Sequence, residues 1–220
     1  MSTLVRTRDT LLARARGCND KEECRALYAE WASTYNADLA DASENYVAPA
    51  LTAQAVLKFD SHARGAILDA GCGTGLVGEA MARGGATTID GLDLSPAMLR
   101  VAEQTGVYRS LDLGDLTQKV DKPDETYDII TCAGTFTHGH VGPRPALREF
   151  VRLVRKNGIV VATILEDIWL SGGFKAEVER LETEGLIKVA SVELIDYRKG
   201  AGDKARLVTL EKQGSALITG

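Results

Sequence analysis

Two rhythms of apolar residues alternate along this chain. Short apolar runs bounded by turn residues read as buried strands. Between them apolar positions recur every three to four residues, the period of a helix with one buried face. The first run, AILDAG, leads into GLVGEAMARGG, a helical pattern that stops at paired glycines. TTIDGLDLS reads as a second strand and SPAMLRVAEQTG as a second helix, with Ser95 as N-cap and Pro96 at the first helical position. VYRSLDLGD predicts a short third strand. YDIITCAGTFT predicts a fourth, apolar almost without a break from Ile129 to Cys132. PALREFVRLVRKNG predicts an amphipathic helix, IVVATIL a fifth strand and FKAEVERLETEG another helix. IKVASVELIDY and ARLVTLEK close the chain as two strands with a turn between them. Ahead of all these, helical patterns span Lys21–Leu39 and Tyr46–Lys58.

Strands alternating with helices predict an α/β fold: a Rossmann-like, mostly parallel sheet of seven strands with helices on both faces. The final hairpin makes one strand antiparallel. Residues 1–220 read as a single domain, with an N-terminal helical lid or substrate segment over 1–60 and the Rossmann-like core over 61–220.

Composition narrows the function classes. The chain has 220 residues, 45% apolar and 26% charged, as expected for a soluble globular domain. A net charge of -5, with no basic stripe and no NPPY-like motif, argues against a nucleic-acid partner. No run of about 18 apolar residues suggests a membrane span. The first residues carry Arg6, Arg8, Arg14 and Arg16 and lack an apolar signal core; a solvated tail leading into a helix is expected. Cys18, Cys24, Cys72 and Cys132 are scattered, which suggests free thiols in a reducing compartment and a cytoplasmic location.

The strongest chemical signal is the turn after the first strand, where Gly71, Gly73 and Gly75 stand on alternate positions. An open parallel sheet binds its ligand at such a turn, outside the carboxyl ends of its strands. The following helix points its N-terminal amides at the ligand. A dinucleotide turn would need glycine at position 76, which is Leu76. Asp69 suits an ammonium group better than a pyrophosphate. Asp93, at the end of the second strand, can accept from both hydroxyls of a ribose. The pattern asks for a nucleoside with a zwitterionic tail.

LDAGCGTG, GLDLSPAMLRVA and the Gly114–Asp115 pair ahead of YDII together resemble the class I S-adenosylmethionine-dependent methyltransferases. More narrowly, AGTFTHGHVGP and LYAEWASTYNADL resemble the small methyltransferase-like proteins of the Williams–Beuren-region type. Lys156-Asn157-Gly158 replaces the family's usual Pro-Gly-Gly, a turn variant.

The resemblance implies S-adenosylmethionine as cofactor, S-adenosylhomocysteine as product, and methyl transfer to an O, N or S atom of a small-molecule acceptor. It implies that Asp69 and the backbone of Gly71, Cys72, Gly73 and Gly75 hold the methionine part. Asp93 would hold the ribose, with Leu94 against the adenine. Asp115 would accept from the adenine amino group and Leu116 would pack on its ring, while Cys132, Ala133 and Gly134 would pass beneath the sulfonium. Tyr28, Trp31, Tyr35 and Leu39 recur at helical spacing, either as a core face or as a cover for the cofactor. Tyr35, then Tyr28, is the expected cation–π partner of the sulfonium. His138 is the candidate general base, with His140 pointing the other way. With His62 the only other histidine, no metal is expected. Tyr46, Phe136, Glu166, Trp169 and Phe174 are candidates for the acceptor pocket. Two other readings keep the same pocket: a cyclase or lyase that binds the cofactor without methyl transfer, and a non-catalytic binding partner.

Overall fold

The computed structural model describes residues 21–60, 63–139 and 141–214, together with 11, 14, 15, 17 and 18. His62, His140 and the first ten residues, including Arg6 and Arg8, lie outside the described residues. Seven strands form one sheet: β1 (Ile67–Ala70), β2 (Ile89–Asp93), β3 (Ser110–Leu113), β4 (Tyr127–Phe136), β5 (Val154–Leu165), β6 (Ile187–Arg198) and β7 (Asp203–Lys212). Their order is β3-β2-β1-β4-β5-β7-β6. All neighbours are parallel except β7, which runs antiparallel to both β5 and β6. The chain works outward from β1 through β2 to β3, then returns to place β4 on the other side of β1. This reversal makes the crevice at the ends of β1 and β4 the expected ligand site.

Eight helices lie among the described residues: α1 (Lys21–Trp31), α2 (Tyr35–Ala40), α3 (Ala48–Phe59), α4 (Leu76–Arg83), α5 (Pro96–Gln104), α6 (Ala146–Leu153), α7 (Glu166–Ser171) and α8 (Phe174–Thr183). On one face of the sheet, Val77 and Met81 of α4 and Val56 of α3 pack with Ile67, Ile89 and Ile129. On the other, Leu147 and Phe150 of α6 and Phe174 and Val178 of α8 pack with Leu68, Ile130 and Phe136. Each such side chain, fully buried, contributes roughly 1.5–3 kcal/mol against leaving it in water. A third, separate cluster joins Leu27 and Trp31 of α1 to Leu39, with Tyr28, Tyr35 and Tyr46 against it. None of these helices is long and apolar enough to cross a membrane. All four cysteines are buried and none is in a disulfide.

Several expected boundaries move. The helix read over Lys21–Leu39 is two helices, broken after Trp31. Asp38 reaches back across the break, accepting from Trp31 Nε1 at 2.8 Å and from Thr34 Oγ1 at 3.0 Å. Ser and Thr favour such local alternatives to helical hydrogen bonds. The helix read from Tyr46 begins at Ala48, and Tyr46 instead bridges to Arg198 of β6. Val154–Asn157, read as helix, belongs to β5, which is extended back to pair Val154 with Tyr127. The Ser95 cap forms as expected, with its hydroxyl accepting from Met98 N at 3.4 Å.

Candidate functional site

The turn after β1 is tied to the end of β2. Gly71 N and Cys72 N both donate to Leu92 O, at 2.7 and 3.0 Å. Gly73 N donates to Asp93 Oδ2 at 2.9 Å, and Ser95 N donates to Asp93 Oδ1 at 2.8 Å. The three glycines all adopt positive φ, 74°, 53° and 97° in order, which side chains rarely tolerate. Beyond the shared backbone shape, their surroundings differ. A Cβ on Gly71 would strike Thr135, and one on Gly75 would crowd Thr105 and Tyr108. One on Gly73 would meet nothing within 4 Å and would stand in open space.

The acids also divide. Burial raises the Asp93 carboxyl above its ordinary value, against the pull of the Ser95 and Gly73 amides. Asp69 is 1% exposed and sits behind the turn. There it accepts from Tyr108 Oη at 2.7 Å and Thr131 Oγ1 at 3.1 Å. Burial pushes its carboxyl up to about 6 although both hydroxyls, and the Gly78 amide, favour the ionised form. Asp115 follows β3. Its Oδ1 accepts from the Thr117 amide at 2.9 Å and hydroxyl at 2.7 Å, and its Oδ2 meets Lys21 Nζ at 2.6 Å. Burial works to raise this carboxyl, but Lys21 and Thr117 outweigh it and hold it below the usual range.

A cavity of about 280 Å³ opens at these strand ends beneath α1. Tyr28, Tyr35, Gly71, Cys72, Gly73, Asp93, Leu94, Asp115, Leu116, Ala133 and Gly134 line it. Asp69, Gly75, Cys132 and His138 are not on its wall. Cys132 is wholly buried inside β4, and burial pushes its thiol to about 12. His138 places Nε2 3.0 Å from Asp167 Oδ2, in the first turn of α7. The reading missed Lys21, Cys24 and Arg25, which line the cavity together with Tyr28. Their positions follow the i, i+3, i+4, i+7 rule, so the signal was in the sequence, but a mixed polar and apolar face does not stand out as a stripe.

The acceptor candidates need correcting. Phe136 and Phe174 pack ring against tilted ring with centroids 5.0 Å apart in the core, with Trp169 in the same cluster. Glu166 is engaged by Arg206, with 2.7 Å between Oε1 and the nearer Nη. Of that set, Tyr46 alone reaches the cavity. It also lines a smaller cavity of about 50 Å³, which shares Gly134 with the first.

A sheet of this order with a glycine turn facing open space defines a Rossmann-like methyltransferase fold. The solved structure of a TehB-like S-adenosylmethionine-dependent methyltransferase from Corynebacterium glutamicum superposes with a TM-score of 0.62 at 22% identity, over 84% of this chain and 98% of that one. A methyltransferase in complex with its Trm112 activator from Haloferax volcanii gives 0.63 at 17% identity, over 85% and 98%. Residues 67–158 match the methyltransferase domain family. Human methyltransferase-like protein 27 is 31% identical over 179 residues, 78% of this chain and 71% of its own. A ubiquinone biosynthesis O-methyltransferase from Pseudomonas savastanoi pv. phaseolicola is 36% identical over 101 residues, but these cover only 43% of this chain and 41% of the relative. The chain belongs to the class I S-adenosylmethionine-dependent methyltransferases, and S-adenosylmethionine is its cofactor. The residues present fit that group, because the turn leaves room where a Gly73 side chain would stand and Asp93 and Asp115 flank the same cavity.

Proposed function

We propose that the protein methylates an oxygen, nitrogen or sulfur atom of a small molecule, in a reducing cytoplasm, and that it groups with the small methyltransferase-like proteins of the Williams–Beuren-region type. Likeness to the human methyltransferase-like protein over most of both chains supports that grouping. S-adenosylmethionine supplies an activated methyl group on a sulfonium sulfur. In this reading Gly73 and the start of α4 face its methionine part. Asp93 accepts from the ribose, Leu94 and Leu116 flank the adenine, and Asp115 accepts from the adenine amino group. Tyr35 and Tyr28 turn ring faces toward the sulfonium. Asp69 acts from behind, by holding the turn through Tyr108. The chain's contribution to rate is positioning of donor and acceptor in a site shielded from water.

One observation carries the small-molecule reading. Tyr28, Tyr35, Tyr46 and Gly134 of the larger cavity also line a second chamber of about 50 Å³, which suits a small head group. A metabolite library incubated with protein and donor, scored for S-adenosylhomocysteine release and a methylated product, tests it. Turnover on one or more small molecules is the expected result. Turnover on nucleic acid or protein alone would end the proposal. Consumption of the library compound without homocysteine-product release would point to a cyclase or lyase.

A further inference from the structure

The smaller chamber shares Tyr28, Tyr35, Tyr46 and Gly134 with the larger cavity. Trp31, Tyr197 and Arg198 help to complete its wall. Separate segments bring the rings together. Asp38 fixes the Trp31 indole, which meets Tyr35 edge-on at 4.8 Å. Tyr46 meets Tyr197 edge-on at 5.0 Å, because the segment before α3 is stitched to β6 and the turn after it: Val47 N donates to Tyr197 O and Lys199 N to Asn45 O, both at 3.1 Å.

The electrostatics of this wall are unusual. Among the described residues Arg198 is its one ionised side chain. Arg198 is held by two carboxylates, Glu44 at 2.6 Å and Asp203 at 2.7 Å, so the cluster carries one net negative charge. An anionic acceptor would meet a cation already outnumbered. Burial pushes the Tyr28, Tyr35 and Tyr46 phenols above their ordinary value, so they stay neutral. Neither a carboxylate nor an imidazole lines the chamber among the described residues. A hydroxyl or thiol acceptor would find no base there to take its proton.

We propose that this tyrosine-walled chamber is the acceptor subsite and that it takes the uncharged amine end of a small molecule. The inference rests on the methyltransferase reading above and narrows it to nitrogen. An amine brings its own lone pair. That pair forms the C–N bond as the methyl–sulfur bond breaks, the sulfur keeps the electrons of the broken bond, and the positive charge passes from sulfur to nitrogen. No proton moves in that step, because the amine gives up its proton to solvent before it enters and still arrives uncharged, whereas a hydroxyl or thiol that did the same would arrive as an anion. The product ammonium stands among ring faces that attract a cation, next to a cluster with net negative charge.

The test uses the full chain saturated with S-adenosylhomocysteine and two probes of matched shape, choline and its uncharged carbon isostere dimethylbutanol. Calorimetry, with quenching of tryptophan fluorescence as a second readout, gives both affinities. Choline should bind about tenfold more tightly. Tyr46→Leu should abolish the difference and Tyr46→Phe, which keeps the ring, should retain it. Equal affinities in the wild type, or an undiminished preference in Tyr46→Leu, would overturn the amine assignment while leaving cofactor binding and the methyltransferase reading in place. Failure of S-adenosylhomocysteine itself to bind would remove both.

Discussion

Lys21 Nζ lies 2.6 Å from Asp115 Oδ2, so a cation on the first helix closes over the carboxylate that follows β3. The helix it anchors belongs to a hydrophobic cluster of its own, apart from the two that flank the sheet. Such a unit can open without unfolding the sheet. A second tie joins Asn36 of α2 to Thr74 of the glycine turn. Lys21 is half exposed, so its ion pair is worth little, roughly 0.2–1 kcal/mol.

Lys21→Met should therefore speed amide exchange across residues 21–31 by no more than about fivefold. Adding S-adenosylhomocysteine should slow exchange over residues 21–39 in both proteins. Exchange mass spectrometry checks both effects. If the cofactor product leaves the segment unchanged, it is an ordinary core element and not a lid. The pair also has a pH limit. Asp115 is held below its ordinary value, so the contribution is fully present above that value, about 3.9, and is lost as pH falls through the lower folded one.

Asp93→Ala should weaken S-adenosylhomocysteine binding by about 1–3 kcal/mol, since it removes an acceptor from the cavity and frees the Gly73 and Ser95 amides together. NAD should bind neither protein, because Leu76 occupies the third dinucleotide glycine position. Titration calorimetry decides this, and equal affinity in wild type and variant would take Asp93 out of the site.

Tyr108→Phe should destabilise the fold in a pH-dependent way. The variant removes a donor that favours the ionised form of buried Asp69, whose carboxyl titrates near 6. Because that value is raised above the ordinary one, Asp69 ionisation already costs stability as pH rises toward 6. Removing the hydroxyl enlarges the cost above 6 and leaves it small near pH 5, where the protonated form is populated. A loss of about 1–3 kcal/mol is expected at pH 8, and clearly less at pH 5. Urea unfolding at the two pH values measures it; identical losses would mean that Asp69 does not titrate in this range.

His138→Ala should lower turnover by less than about tenfold, short of the 10²-fold or more that loss of a general base brings. The reason is placement: the imidazole pairs with Asp167 and is not on the wall of either cavity. Kinetics with a confirmed acceptor decides. A hundredfold loss at unchanged cofactor affinity would restore His138 as the base.

The layered fold was legible because its signals are local. Apolar runs, a 3.6-residue period, Ser95 before Pro96 and glycines on alternate positions act within one turn or one strand. Asp93 and Asp115 were legible for the same reason, since Asp93 ends a readable strand and Asp115 follows closely on another. Side-chain destinations were not. Phe136, Trp169 and Phe174 looked available for an acceptor and are core, because which face of a strand or helix is covered depends on what packs there.

What the sequence determined by itself is the order of the elements, the cofactor turn and the acids at the strand ends, since backbone periodicity and chirality then dictate a parallel sheet with a crevice at β1. Only the tertiary structure decided that Asp69 serves the turn from behind, through a tyrosine 39 positions away, and that only Gly73 of the three glycines leaves room for a ligand. It also decided that Tyr46 of the N-terminal segment and Tyr197 of β6 share one wall with Trp31. Contacts between residues far apart in the chain depend on how the layers close, and no local spacing encodes that.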